Sequence, residues 1–148
     1  MTVTRNAVDI AAPAEAVYAL GAATERWPEL LPHYRYVRVL ERRGEARVVA
    51  MGARHGIVPL SWTAEQTNDP RTPRITFRHV RGWTRGMDVE WRFDPIPGGT
   101  RVTIEHRLRF EFPLAAEWLG RHVVSDVFIH GVASRTLARM KAIAEGGA

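Results

Sequence analysis

The chain has 148 residues, 45% of them hydrophobic, which suits one domain around a single core, and it carries a net charge of +5. No run approaches the roughly 18 consecutive apolar residues of a membrane helix, and the start MTVTRNAVDI lacks the apolar stretch of a signal peptide, so a soluble cytoplasmic protein is expected. The absence of cysteine removes disulfides, thiol nucleophiles and thiolate metal sites, and Lys141 as the single lysine argues against Schiff-base chemistry. Arginine supplies nearly all of the 21 basic residues, yet only Arg42 and Arg43 are adjacent and no helix carries a basic face. That scatter argues against nucleic acid and for a solvated basic surface, one able to attract an acidic partner.

In chain order, residues Met1 to Ile10 alternate weakly and read as extended. "APAEAVYAL" places Pro13 at a helix start with Glu15 in the first turn, and Gly21 is expected to break that helix. A second short helix carries "TERWPELL" and stops at Pro32, so the two form a small V-shaped unit. Six strands follow, over His33–Arg43, Ala46–Arg54, Ile57–Thr67, Arg74–Arg81, Met87–Asp94 and Arg101–Phe112, joined by Gly44, Gly56, "NDPRTP" and "PIPGG" at hairpin spacing. The first strand is expected to pair at an edge. From Leu114 to Glu145 apolar residues recur at offsets of three and four, including Ile129, Val132, Ala133, Leu137 and Met140, which predicts one long amphipathic helix. The order β, α, α, six β, α gives an α+β domain spanning 1–148, in which the last helix covers the apolar face of an antiparallel sheet.

Because alternate strand residues share a face, the candidates can be sorted by phase. Met87, Val89, Trp91 and Phe93 form one apolar row, and Ile75, Phe77 and His79 another. Leu60, Trp62, Ala64 and Gln66 form a third, and Ile104, His106, Leu108, Phe110 and Phe112 a fourth. His79, His106 and Gln66 are the polar members. Each is either satisfied by neighbours in a core or lines a polar spot in a cavity, because an unpaired polar group there costs a few kcal/mol. Arg38 shares a phase with Tyr34, Tyr36 and Leu40 and could add charge to that face. On the long helix His122, Asp126 and His130 recur every four residues. His122 and His130 then lie about 12 Å apart along the axis, too far to share one metal ion. Asp126 is better placed to orient a neighbouring histidine, and no metal and no cofactor are expected.

The pieces "APAEAVYAL", "ERWPELLPHY", "LSWTAEQ", "MDVEWRF" and "SRTLARMKAIAE", in this order along the whole chain, resemble the SRPBCC/START-like superfamily and within it the polyketide cyclase/dehydrase family of bacterial aromatase/cyclases. The resemblance implies the helix-grip (Bet v 1/START-like) fold, a curved antiparallel sheet around a long C-terminal helix, with two short helices after the first strand. It implies a poly-β-ketone held on an acyl carrier protein, folded in an apolar cavity for aldol cyclisation and dehydration. Trp27, Leu30, Leu31 and Tyr34 would then form the mouth. Tyr34 and Trp27, each an apolar body with a polar tip, suit a wet entrance. Trp62, Ala64, Phe77, His79, Met87, Val89, Trp91, His122 and Ile129 would line the ligand site. For the chemistry, His106 would act as acid or base, Tyr34 as a donor, Asp126 as orienting carboxylate and Gln66 as an amide donor.

The pattern departs from the family at one place. Related cyclases carry an inward arginine, often with a serine two residues before it, where this chain has Gln66 and Ala64. An amide donates a hydrogen bond without charge, so a lipid, quinone or other hydrophobic ligand carrier of the same superfamily stands beside the cyclase. A partner-binding module remains if Trp62, Trp91 and Phe77 fill the interior. A ligand site calls for a cavity of a few hundred Å3, and the protein is expected as monomer or homodimer.

Overall fold

A computed structural model describes residues 2–82, 84–108 and 131–146. Strand β1 (Thr2–Ile10) is followed by helix α1 (Ala14–Ala22), a 3-10 turn (Thr24–Arg26) and the one-turn helix α2 (Trp27–Leu30). Strands β2 (Tyr34–Arg43), β3 (Ala46–His55), β4 (Val58–Asp69), β5 (Arg74–Arg81), β6 (Asp88–Ile96) and β7 (Gly99–Leu108) come next. Helix α3 (Ser134–Ala144) closes the described chain. It is the last part of the long helix predicted from Leu114; residues 109–130 lie outside the described residues.

All neighbouring strands are antiparallel and the order is β1-β7-β6-β5-β4-β3-β2. The first strand is therefore an edge strand, paired with the last, and the hairpin meander runs to β2 at the other edge. The curved sheet with helices on its concave side is the helix-grip architecture. Alternation holds where the sequence is most regular: Val89, Trp91 and Phe93 on β6 and Val102, Ile104, His106 and Leu108 on β7 are all buried. Val132, Ala133, Leu137 and Met140 bring the last helix onto this face and complete the core.

Two expectations are corrected by packing. Gly21 does not break α1, which continues through it to Ala22. Its bare backbone lies against the core, and a Cβ there would stand 2.8 Å from Phe93 Cζ. The residue is small because the helix must approach the sheet, and the helix tolerates the propensity cost of about 1 kcal/mol. The second correction concerns Arg38. Tyr34 pairs with Ala53 but Tyr36 with Gly52, so Arg35 is bulged out of register and the side chains from Tyr36 to Val39 change face before a second slip at Leu40. Val37 and Val39 turn to the core, while Arg38 is exposed with its guanidinium carbon 4.7 Å from the Tyr36 ring centre.

Candidate functional site

Between the concave face and the segment from Val132 to Thr136 the described residues line a cavity of about 40 Å3. Its wall is aromatic: Trp27, Tyr34, Trp62, Phe77 and Trp91 from helix and sheet, with Met51, Val89 and Ile104 between them. His79 and His106 give it a polar side, and Val132, Ala133 and Thr136 form the helical wall. The volume is far below the expected few hundred Å3, since room for one water takes about 10–15 Å3 and three waters fill it. Rings crowd it. Trp27 stands 5.5 Å from Trp91 and 5.0 Å from Tyr34, centre to centre, so inward-facing aromatics occupy the space that smaller side chains would leave.

Trp27 and Tyr34 belong to the inner wall and not to an exposed mouth, at 2% and 7% exposure. The indole N–H of Trp27 donates back to Leu20 O at 3.3 Å, tying α2 to α1. Tyr34 lies beside Thr136 in the cavity wall. Thr136 in turn donates to Val132 O at 2.8 Å and lies 2.8 Å from His33 Nε2. A hydroxyl has one proton and two lone pairs. With its proton on Val132 O, Thr136 offers a lone pair to His33 Nε2. Burial pushes the Tyr34 phenol well above its ordinary value, with a smaller lowering from the neighbouring Thr136. Burial together with the nearby Arg135 charge lowers His33 to about 4, against a hydrogen bond to the Val132 carbonyl.

The two inward histidines are neighbours. His79 stacks on Trp62, ring centres 5.6 Å apart and planes 9° from parallel, and its Nδ1 lies 2.8 Å from Thr84 Oγ1. Burial, with a smaller contribution from His106, lowers its pKa to about 3. Burial alone lowers His106 to about 4, and its Nδ1 is buried with no hydrogen-bond partner among the described residues. Both rings are neutral at pH 7.

The other predicted site residues are placed differently. Leu31 packs with Leu20, Leu30, Met140 and Ile143 where the helices meet, away from the cavity. Ala64 and Met87 are fully buried but are not part of the cavity wall. Gln66, 0% exposed, is committed at both ends of its amide: Thr24 Oγ1 donates to its Oε1 at 3.0 Å and its Nε2 donates to Asn68 Oδ1 at 2.8 Å. It fastens the 3-10 turn to the sheet and does not line the cavity. His122, Asp126 and Ile129 lie outside the described residues. Among the described residues no group of three or more His, Asp or Glu is placed to hold a metal ion. No helix among them is long and apolar enough to cross a membrane.

Sequence reasoning passed over Thr136 and Thr84. Thr136 sits in the apolar row of the helix, a polar residue at a core position that could have been flagged. Thr84, between Gly82 and Gly86, gave no periodic signal.

Residues 10–128 match the family described as polyketide cyclase / dehydrase and lipid transport. The chain belongs to this family. Over 97 residues, 64% of its length, it is 35% identical to the actinorhodin polyketide synthase bifunctional cyclase/dehydratase of Streptomyces coelicolor, but that alignment spans only 31% of the longer protein. Over 100 residues it is 30% identical to a putative polyketide cyclase of Streptomyces halstedii, covering 65% of this chain and 91% of the relative. The crystal structure of the Zhui aromatase/cyclase from Streptomyces sp. R1128 superposes with a TM-score of 0.80 at 21% identity, over 97% of this chain and 93% of that one, and shares the fold.

Proposed function

We propose that this chain works as an aromatase/cyclase domain, holding a hydrophobic poly-β-ketone against its aromatic wall and promoting aldol ring closure followed by dehydration. The observation that carries the reading is His106: a neutral imidazole on an apolar row and in the cavity wall, its Nδ1 buried with no partner among the described residues, in a member of the polyketide cyclase/dehydrase family. In the proposed step Nδ1 takes a proton from a carbon between two carbonyls, and the enolate carbon attacks a second carbonyl of the folded chain. The protonated ring then returns the proton to the new alkoxide or to the departing hydroxyl. Burial makes His106 a weak base, but the imidazolium and enolate formed together attract strongly in a dry cavity, which offsets the low basicity. The wall chooses which carbons meet. Tyr34, part of the cavity wall, would serve as a donor to a substrate oxygen.

The substrate is larger than the 40 Å3 present, so binding requires ring movement at Trp27, Trp62 or Trp91. An acidic acyl carrier protein, met in the cytoplasm, is the proposed donor, favoured by the net charge of +5. A carrier of hydrophobic ligands is the second reading, favoured by a cavity wall with no arginine or lysine among the described residues.

The test is incubation with a poly-β-ketone thioester and chromatographic analysis of cyclised products. His106→Ala should lower the rate of cyclised product about 100-fold or more while apolar ligand affinity stays within a few fold. Parent protein that yields only the products of spontaneous cyclisation, while binding ligand, would sink the cyclase reading and leave the carrier.

A further inference from the structure

Three tryptophans crowd the cavity, and they differ in what lies behind them. Trp62 and Trp91 stand on β4 and β6, so the sheet backs their rings. Trp27 comes from the one-turn helix α2, and its ring lies 5.0 Å from Tyr34, 5.5 Å from Trp91 and 6.0 Å from Phe77, centre to centre. Behind it is a second space, lined by Leu20, Leu30, Leu31, Met140 and Ile143 where α1, α2 and α3 meet. That gap is too narrow for a water molecule and these side chains are all apolar, so it is dry. Among the described residues, Trp27 alone belongs to both walls.

A gap withholds contacts from the ring that borders it, so the indole has slack on this side that a ring backed by the sheet lacks. Its N–H donates to Leu20 O at 3.3 Å, longer than the usual range of about 2.7–3.2 Å. Leu20 itself borders the gap. Movement of the ring toward the gap therefore exchanges one long hydrogen bond for contacts with five apolar side chains.

We propose that Trp27 is the gate of the cavity: its indole moves into the gap between the helices, and a flat ring about the size of an indole takes its place beside Tyr34, Phe77 and Trp91. The inference rests on the ligand-cavity reading that the cyclase and the carrier share, and it makes Trp27 the residue that sets ligand shape. A planar conjugated ring, such as aldol closure and dehydration produce, restores the ring contacts that the indole gives up. A saturated ring of similar size does not. His106 Nδ1, buried in the same wall with no partner among the described residues, is available to accept from a hydroxyl on that ring.

The probe is 2-naphthol, flat, bicyclic and carrying one hydroxyl, added to the full chain labelled with 13C at the methionine methyls. Met51 lines the cavity and Met140 the gap. Both methyl signals should move, Met51 because the probe arrives and Met140 because the indole does. A shift at Met51 with Met140 unmoved overturns the proposal, as does a parent that binds no 2-naphthol. Decahydro-2-naphthol, the saturated analogue, should bind about fivefold more weakly; equal affinity overturns the assignment of ligand shape. Ile143→Phe fills the gap from outside the cavity wall and should weaken 2-naphthol binding about tenfold, the scale of forcing a side chain into filled space. In Trp27→Leu, which has no ring to move, the same change should alter affinity by less than about twofold. An Ile143→Phe effect of equal size with and without Trp27 overturns the gate, because the two positions then act independently. Should Ile143→Phe fail to fold, the methyl signals of the parent still decide. None of these measurements needs turnover: absence of cyclisation would strike the cyclase reading alone, and cyclisation with a silent Met140 would strike the gate alone.

Discussion

Acidification should unfold this protein through its buried histidines. His79 and His106 have pKa values of about 3 and about 4 in the folded chain, against about 6.5 for an exposed imidazole. The unfolded state therefore binds more protons than the folded state between these limits. Stability from the two groups is fully present above pH 6.5 and is lost as pH falls toward 4. Relative to pH 7, each group costs about 2 kcal/mol at pH 5, so the pair costs about 4 kcal/mol, a large share of the 5–15 kcal/mol typical of a domain. His33, lowered to about 4, adds in the same direction. The assay is urea unfolding at pH 7, 6 and 5 for the parent and for His106→Phe, which keeps a ring in the apolar row. Loss of stability from pH 7 to 5 should be about 2 kcal/mol smaller in the variant. If parent and variant lose the same amount, His106 titrates in the folded state as it does in water, and the dry, neutral imidazole on which the proposed chemistry depends does not exist.

Two further outcomes follow from packing. Gly21→Ala places a methyl carbon 2.8 Å from Phe93 Cζ, and because Phe93 is 1% exposed it has nowhere to retreat. The variant should lose about 1–3 kcal/mol by urea unfolding, whereas an unchanged or raised midpoint would mean that α1 can lift from the sheet at no cost. Gln66→Arg buries a cation between Thr24 and Asn68, and should cost about 3 kcal/mol or more in the same assay. It should bring no gain in cyclised product, because position 66 does not line the cavity, and a gain would place the arginine in the site after all.

The order of elements was legible in the sequence because local physics writes it there. Alternation on "MDVEWRF", the turn glycines and Pro32 each act within a few residues, so β6, the hairpins and the end of α2 follow from short windows. The inward placement of His79 and His106 came from the same period of two. Where a bulge breaks the period the inference failed. Arg35 leaves the ladder, and Arg38 lands on Tyr36 outside the core, because a one-residue slip exchanges the faces of the residues that follow it.

What only the tertiary structure decided is how much space the inward residues leave and which polar groups find each other. Aromatic side chains from α2, β2, β4, β5 and β6 converge on one volume, and no single strand reveals that their rings nearly fill it. Gln66 reads as a cavity amide along its own strand, yet Thr24, 42 residues earlier, takes its oxygen and turns it into a tie for the 3-10 turn. Thr136 meets His33 across 103 residues. Side-chain identity and phase are properties of neighbours in the chain, so the sequence determined them. Cavity volume, hydrogen-bond partners and the neutrality of a buried imidazole depend on dense packing between distant segments, and folding alone brings those segments together.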